Sequence, residues 1–234
     1  AAVGPAALPS GRSAPDGRKP NIIFIMADDL PINGVGFHGQ KLIQTPNIDR
    51  IAAEGMQFTD CYAGSAVCAP ARSTLMTGQH TGHTTVRANS APGPGGGAIQ
   101  APGGWRLPLQ KEDVTVAEVM KQAGYVTGGF GKWGLGEADS VGQPNRQGFD
   151  EWFGYLNQQR AHDYYTDYLW DNREKYVLEG NLEEPKTDYS HDIIAEKSFD
   201  FLRRHHDKSF FLYLGYTIPH AQFEVPDLGP YADK

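Results

Sequence analysis

One short run, Ile22-Ile23-Phe24-Ile25-Met26-Ala27, does most to limit the folds open to this chain. It is continuous, apolar and rich in β-branched residues, the pattern of a strand buried on both faces of a parallel sheet. Helix-then-strand units follow it. A helix is predicted over Pro46–Glu54, with Thr45 as N-cap, Pro46 in the first position and Gly55 at C′. Ile48, Ile51 and Ala52 give that helix one apolar stripe, and Met56–Tyr62 behind it reads as a strand. Pro70–Thr77 reads as a helix stopped by Gly78. Thr115–Ala123 reads as a helix ended by Gly124, with strand Tyr125–Phe130 directly behind. Helix Ser190–His205 carries Ala195, Phe199 and Leu202 on one face and leads into strand Ser209–Tyr216. Helix and strand in alternation predict an α/β fold with a mainly parallel central sheet flanked by helices.

Composition sets the limits around that core. The 234 residues allow one large domain or two small ones, and 28 Gly with 16 Pro imply many turns and long loops. Asn89–Gly104 reads as such a loop, and Ala1–Pro20 as a disordered leader or linker, leaving 21–234 for the folded part. With 21 basic against 28 acidic side chains the net charge is −7, and no block of Lys or Arg offers a nucleic-acid surface. No apolar run approaches the roughly 18 residues of a membrane span. Two cysteines make neither a stapled scaffold nor, without a CxxC pair, a zinc site. A Cys61–Cys68 bridge and two free thiols both remain open.

Two places carry chemistry. Asp28-Asp29 follows the first strand directly, where ligands gather in open α/β sheets. Adjacent carboxylates repel unless a cation or hydrogen-bond donors neutralise them, and oxygen-only ligands suit Ca²⁺ or Mg²⁺. A pair of turn or helix-capping aspartates is the plainer alternative. The second place is Cys68-Ala69-Pro70-Ala71-Arg72. Pro70 presets a first helical turn, so Cys68 is expected at a helix N-terminus, where backbone N–H groups favour an anionic substrate or nucleophile. Arg72 lies one turn on and can reach the same point. The alternative is a buried Cys opening an ordinary helix.

The pentapeptide CAPAR, with STLMTG behind it, resembles the C-x-P-x-R signature of the sulfatase family. Further segments stand in the family's order: NIIFIMADD upstream, TPNIDRIAAEGMQFTDCYA between, then GKWGLG and IPHAQFEVP. The resemblance runs from about Lys19 to Pro226. It implies an alkaline-phosphatase-like fold and hydrolysis of sulfate esters. It also implies that Cys68 becomes formylglycine through a formylglycine-generating enzyme, the hydrated aldehyde serving as nucleophile. Asp28 and Asp29, with the modified Cys68, would hold Ca²⁺, Mg²⁺ being the other hard cation that suits them. Arg72 would stabilise the ionised nucleophile, Lys132 would contact nucleophile and sulfate, and His220 would hydrogen-bond the sulfate or its leaving group. The partner would be a sulfated small molecule or glycan, and family habit implies a periplasmic or extracellular enzyme.

The chain departs from the family pattern in two respects. Many sulfatases read G-K-W-H-L-G where Gly131–Gly136 here places Gly134 in the histidine's position. His162 is the candidate to fill that space, the alternative being a loop histidine bonded to Asp163 or solvent. Sulfatases also continue further and supply an Asp-Asn metal pair and another lysine. The chain is therefore expected to be the N-terminal portion of a longer enzyme, inactive in isolation. Smaller candidates are His80 and His83, as cleft-edge or loop residues, and Trp152–Trp170, as a sugar or aryl subsite or as packing. His205-His206 closes a helix and is expected to complement its dipole. A phosphonate or phosphate-ester hydrolase of the same superfamily and a non-catalytic binding protein are the competing functions.

Overall fold

The apolar run at residue 22 and the aromatic run at residue 210 form neighbouring parallel strands. The computed structural model describes residues 19–93 and 96–232. Of the expected leader, only Lys19 and Pro20 fall among these, both exposed, and the rest lies outside the described residues. In chain order the elements are β1 (Ile22–Ala27), α1 (Pro46–Glu54), α2 (Cys68–Thr77), β2 (Ile99–Ala101), β3 (Gly104–Arg106) and α3 (Val116–Gln122). Then come β4 (Val126–Lys132), β5 (Glu151–Tyr155), β6 (Tyr168–Asp171), β7 (Glu174–Val177), α4 (Ser190–His205) and β8 (Phe210–Tyr216), with short 3₁₀ turns between.

Six strands form one sheet in the order β1-β8-β4-β5-β6-β7. The first four are mutually parallel, with Ile22 opposite Phe211, Val126 opposite Phe210 and Gly128 opposite Glu151. β6 and β7 add an antiparallel hairpin. The mixed α/β architecture with a mostly parallel sheet is the one its helix–strand alternation predicts.

Side-chain alternation in β8 divides the core into two layers. Phe211 and Tyr213 join Ala69, Met76, Ala117, Trp133, Phe149 and Trp152 on the α2 and α3 face. Phe210, Leu212 and Leu214 meet Phe130, Phe153, Ile194 and Phe201 on the α4 face. β4 lies between these layers and has no side chain at its centre, where Gly128 and Gly129 stand together. A Cβ on Gly128 would sit 2.6 Å from the Phe201 ring, and one on Gly129 2.6 Å from the Trp152 indole. The glycines let aromatic rings from both sides close directly onto the strand backbone.

Several expectations are corrected. β1 is at the sheet edge, and Ile23, Phe24 and Ile25 are exposed because no element among the described residues covers them. The α1 stripe is open for the same reason, with Ile48 and Ile51 exposed and no buried residue in the helix. Met56–Tyr62 is irregular rather than a strand: Met56, Phe58 and Tyr62 are exposed, and no ladder partner lies beside the segment. The Asn89–Gly104 loop contains β2, which pairs with β3 in a small hairpin. α2 begins two residues earlier than Pro70. The proline occupies the third helical position, whose N–H has no intrahelical partner in any case. The aromatic stretch Trp152–Trp170 is largely packing, since Trp152, Tyr155, Tyr164 and Leu169 are buried.

Candidate active site

The strand order builds the site. β1, β8 and β4 are neighbours and run the same way, so their carboxyl ends bring Asp28, the Thr217–His220 turn and Lys132 to one edge. The Asp28 N–H donates to Ile218 O at 3.2 Å, tying the first two of these ends together. α2 reaches the same edge with Arg72, which is almost wholly buried.

Asp28 is the hub. Its Oδ2 accepts from Lys132 Nζ at 2.5 Å and pairs with Arg72 Nη2 at 3.5 Å. Burial would raise its carboxyl, but the Arg72 and Lys132 charges outweigh that and hold it below the usual carboxylate range. Arg72 Nη1 donates to Lys132 O at 2.6 Å and to the Tyr213 hydroxyl at 2.8 Å, while its Nε meets no protein partner. Two cationic side chains on one buried carboxylate leave an excess of positive charge, a setting for an anion.

Two histidines close the corner. His162 Nε2 lies 3.3 Å from Lys132 Nζ and therefore accepts from it, because the ammonium only donates. Burial first, then the Lys132 and His220 charges, push His162 down to about 4, so it is neutral near pH 7. His220 stacks on it, with ring centroids 4.1 Å apart. His220 Nδ1 donates to Ala221 O at 2.6 Å and Nε2 faces Asp29 Oδ2 at 3.3 Å. The Tyr164 hydroxyl holds the His220 carbonyl from below.

The loop behind β5 is braced before it reaches His162. Asn157 Oδ1 accepts from the Gln159 and Arg160 N–H groups at 2.8 and 2.9 Å, starting the 3₁₀ turn Arg160–His162. Asn157 Nδ2 donates to Glu137 Oε1 at 2.6 Å, and burial raises the Glu137 carboxyl above its ordinary value. Sequence reasoning missed Tyr213, Asn157 and Gln158. Tyr213 carries no motif, but the Asn157-Gln158-Gln159 amide run beside His162 was a usable signal.

The space at Gly134 is not filled by His162. Gly134 sits at φ +77°, and a Cβ there would fall closer than 3.0 Å to Gln158 Oε1. Gln158 takes that place, while His162 turns toward Lys132 and His220.

Cys68 opens α2 one turn before Arg72 and is a free, half-buried thiol. Cys61 is exposed and free, so the two are not bridged. Asp29 is exposed, at φ +58°. Among the described residues no group of three or more His, Cys, Asp or Glu side chains could hold a metal ion. The two carboxylates of Asp28 and Asp29 fall short of the six to eight oxygens that Ca²⁺ takes. His80 and His83 are exposed loop residues, and His80 Nδ1 accepts the Gly82 N–H at 3.0 Å. His205 pairs with Glu151 at the opposite end of the sheet.

Residues 20–234 match the sulfatase family profile. The chain belongs to the sulfatase family. This sulfatase is 33% identical over 207 residues to N-acetylglucosamine-6-O-sulfatase of Bacteroides thetaiotaomicron, covering 88% of its own length and 32% of that relative. It is 32% identical over 223 residues to N-acetylgalactosamine-6-sulfatase of Homo sapiens, covering 87% of itself and 40% of the relative. Its fold matches the solved structure of BT4656 in complex with its substrate D-glucosamine-2-N,6-O-disulfate. The TM-score there is 0.67 at 31% identity, over 88% of this chain and 36% of that one. The sulfatase chain thus spans about a third of the length of the relatives it matches.

Proposed function

We propose that this chain carries the nucleophile and the anion-binding side chains of a sulfuric-ester hydrolase acting on a sulfated glycan. One observation carries the reading: the helix that begins at Cys68 delivers Arg72 to a buried cluster with Lys132 and Asp28, at the carboxyl ends of three parallel strands. The glycan is supported by relatives that cleave 6-sulfated amino sugars, by their names, and by a structural neighbour holding a disulfated glucosamine.

Cys68 suits conversion to formylglycine, being free, partly accessible and followed by Pro70 and Arg72 at the signature spacing. The hydrated aldehyde would supply one hydroxyl as nucleophile and a second for sulfate release. Asp28 and Asp29 would contribute carboxylates to a Ca²⁺, or Mg²⁺, site. Lys132 and Arg72 bind and orient the anionic group, and their charge favours the added negative charge of the transition state. His162 is neutral at pH 7 and holds Lys132 in place by accepting from Nζ. His220, its ring fixed by the Nδ1–H bond to Ala221 O, would hydrogen-bond the sulfate or its leaving group through Nε2.

The test is sulfate release by the full-length protein, made together with a formylglycine-generating enzyme. It is offered 6-sulfated N-acetylglucosamine, an aryl sulfate and an aryl phosphonate. Turnover of the sulfate esters supports the reading. Preference for the phosphonate assigns the site to the phosphonate-hydrolase branch, and no turnover of any of the three leaves a binding protein.

A further inference from the structure

Beside the Asn157–His162 turn the protein has an open cleft of about 310 Å³, with Gln100, Pro102, Glu137, Asp139 and Trp170 in its walls. That is within the roughly 300–1,000 Å³ of small-molecule sites, which combine an apolar lining with a few polar groups. Trp170 supplies the aromatic surface. It stands opposite Gly154 in the β5–β6 ladder, meets Tyr168 edge-on at 5.8 Å between ring centroids and packs partly against the core, which fixes its indole. The polar groups are uncommitted. Gln100 and Asp139 are exposed, and among the described residues no side-chain hydrogen bond holds either.

Asn157 ties the cleft to the active site. Its Nδ2 donates to Glu137 Oε1 at 2.6 Å and to Pro102 O at 3.3 Å, in two walls of the cleft. Its Oδ1 starts the 3₁₀ turn that ends at His162, against Lys132. The tip of the β2–β3 hairpin closes on the same turn, since a Cβ on Gly103 would lie 3.2 Å from Gln159 Cβ. At the roughly 2 Å rise per residue of such a turn, about 10 Å separates Asn157 from His162. A sugar ring held at Lys132 therefore leaves the cleft to its neighbour in a glycan.

We propose that this cleft is a subsite for an unsulfated sugar ring, the neighbour of the unit whose sulfate ester lies at Lys132 and Arg72. The subsite rests on the hydrolase reading for its glycan and adds to it which neighbouring unit is accepted. A pyranose has apolar C–H faces and a rim of hydroxyls. The Trp170 indole suits the faces, and the Gln100 amide and Asp139 carboxylate suit the rim. Charge selects the unit. Glu137 and Asp139 line the cleft and no cationic side chain does, Arg106 and Arg160 acting on Glu137 from outside it. A carboxylate accepts from hydroxyls and repels a second sulfate.

The experiment uses full-length enzyme made with the formylglycine-generating enzyme. It compares 6-sulfated N-acetylglucosamine with two disaccharides that join this unit to an unsulfated galactose on one side or the other. The quantity read is the ratio of kcat/KM for each disaccharide to that for the monosaccharide. Wild type is expected to prefer one disaccharide about tenfold, the order of one hydrogen bond, and a sulfate on the galactose should cancel that preference. Trp170→Ala, and separately Gln100→Ala combined with Asp139→Ala on exposed side chains, should bring the ratio down toward one. Loss of folded enzyme lowers all rates together and leaves the ratio, so a damaged fold cannot imitate the result. Ratios near one in wild type, or unchanged in the variants, would overturn the proposal. Affinities of the same sugars for Cys68→Ser protein, by calorimetry, separate the two readings. A disaccharide preference that persists in binding while wild type turns over no sulfate ester defeats the hydrolase alone. An active hydrolase with flat ratios defeats the subsite alone.

Discussion

The imidazole of His162 stacks on that of His220, with centroids 4.1 Å apart and planes 15° from parallel. One ring comes from the loop after β5 and the other from the turn after β8, so the stack joins two strand ends that are separated by β4 in the sheet. It also sets their division of labour. His162, pressed against Lys132, stays neutral, and His220 keeps its Nε2 toward Asp29.

That neutrality has a cost in acid. The folded His162 pKa of about 4 lies below the unfolded value near 6.5, so between these pH values the unfolded chain binds the extra proton. Stability therefore falls as pH drops from 6.5 toward 4. In the full-length protein, His162→Gln should flatten that fall. Denaturant titrations at pH 7 and pH 5 check it: a stability gap between wild type and variant that does not change with pH would contradict the assignment. Turnover of His162→Gln should also drop, because Lys132 loses the imidazole that the stack on His220 holds in place to orient it.

The two aspartates should behave differently. Asp28→Asn leaves Lys132 and Arg72 buried against a neutral amide, and unpairing a buried charge costs about 3–5 kcal/mol. Asp29→Asn, on an exposed side chain, should change stability by less than about 0.5 kcal/mol. Denaturant midpoints of the two variants measure the difference, and equal losses would sink the picture of Asp28 as the hub.

Gly134→His should not restore an imidazole to the site. The position is at φ +77° and its Cβ direction is taken by Gln158, so the variant is expected to lose about 1–3 kcal/mol and gain no rate. Gly134→Ala should lose stability too, and Gln158→Ala added to it should recover the steric part while the backbone strain remains. A double-mutant cycle by thermal melting reads that coupling, and simple additivity would speak against the contact.

Cys68→Ser should abolish multiple turnover in the full-length enzyme, while Cys61→Ser, changing an exposed free thiol, should leave activity and melting temperature as they are. Peptide mass spectrometry after co-expression with the generating enzyme should find the aldehyde at residue 68 alone. An intact thiol there would remove the proposed nucleophile.

Local sequence was enough for whatever local physics decides. The α1 boundaries follow from Pro46 and Gly55, and the buried β8 from its aromatic and aliphatic run. The Ala195, Phe199 and Leu202 stripe located α4 but not its buried face, which carries Ile194 and Phe201 and leaves Phe199 exposed. The pairing of Cys68 with Arg72 on one helix is a matter of spacing four residues apart, and the C-x-P-x-R signature marked the family that the whole-chain match bears out. Tertiary structure decided what depends on neighbours distant in sequence. Burial of β1 and pairing of Met56–Tyr62 need a covering layer or a partner strand, and apolarity alone reports neither. The β6–β7 hairpin turns on Asn172 at φ +55°, a two-residue turn easily hidden among aromatic side chains. The convergence of Lys132 and Arg72 on Asp28 arises because the strand order places residues 28, 132 and 217 side by side. Gln158 could be assigned its place only once Gly134 was seen to leave room for it, since steric exclusion between two loops is a property of the folded chain.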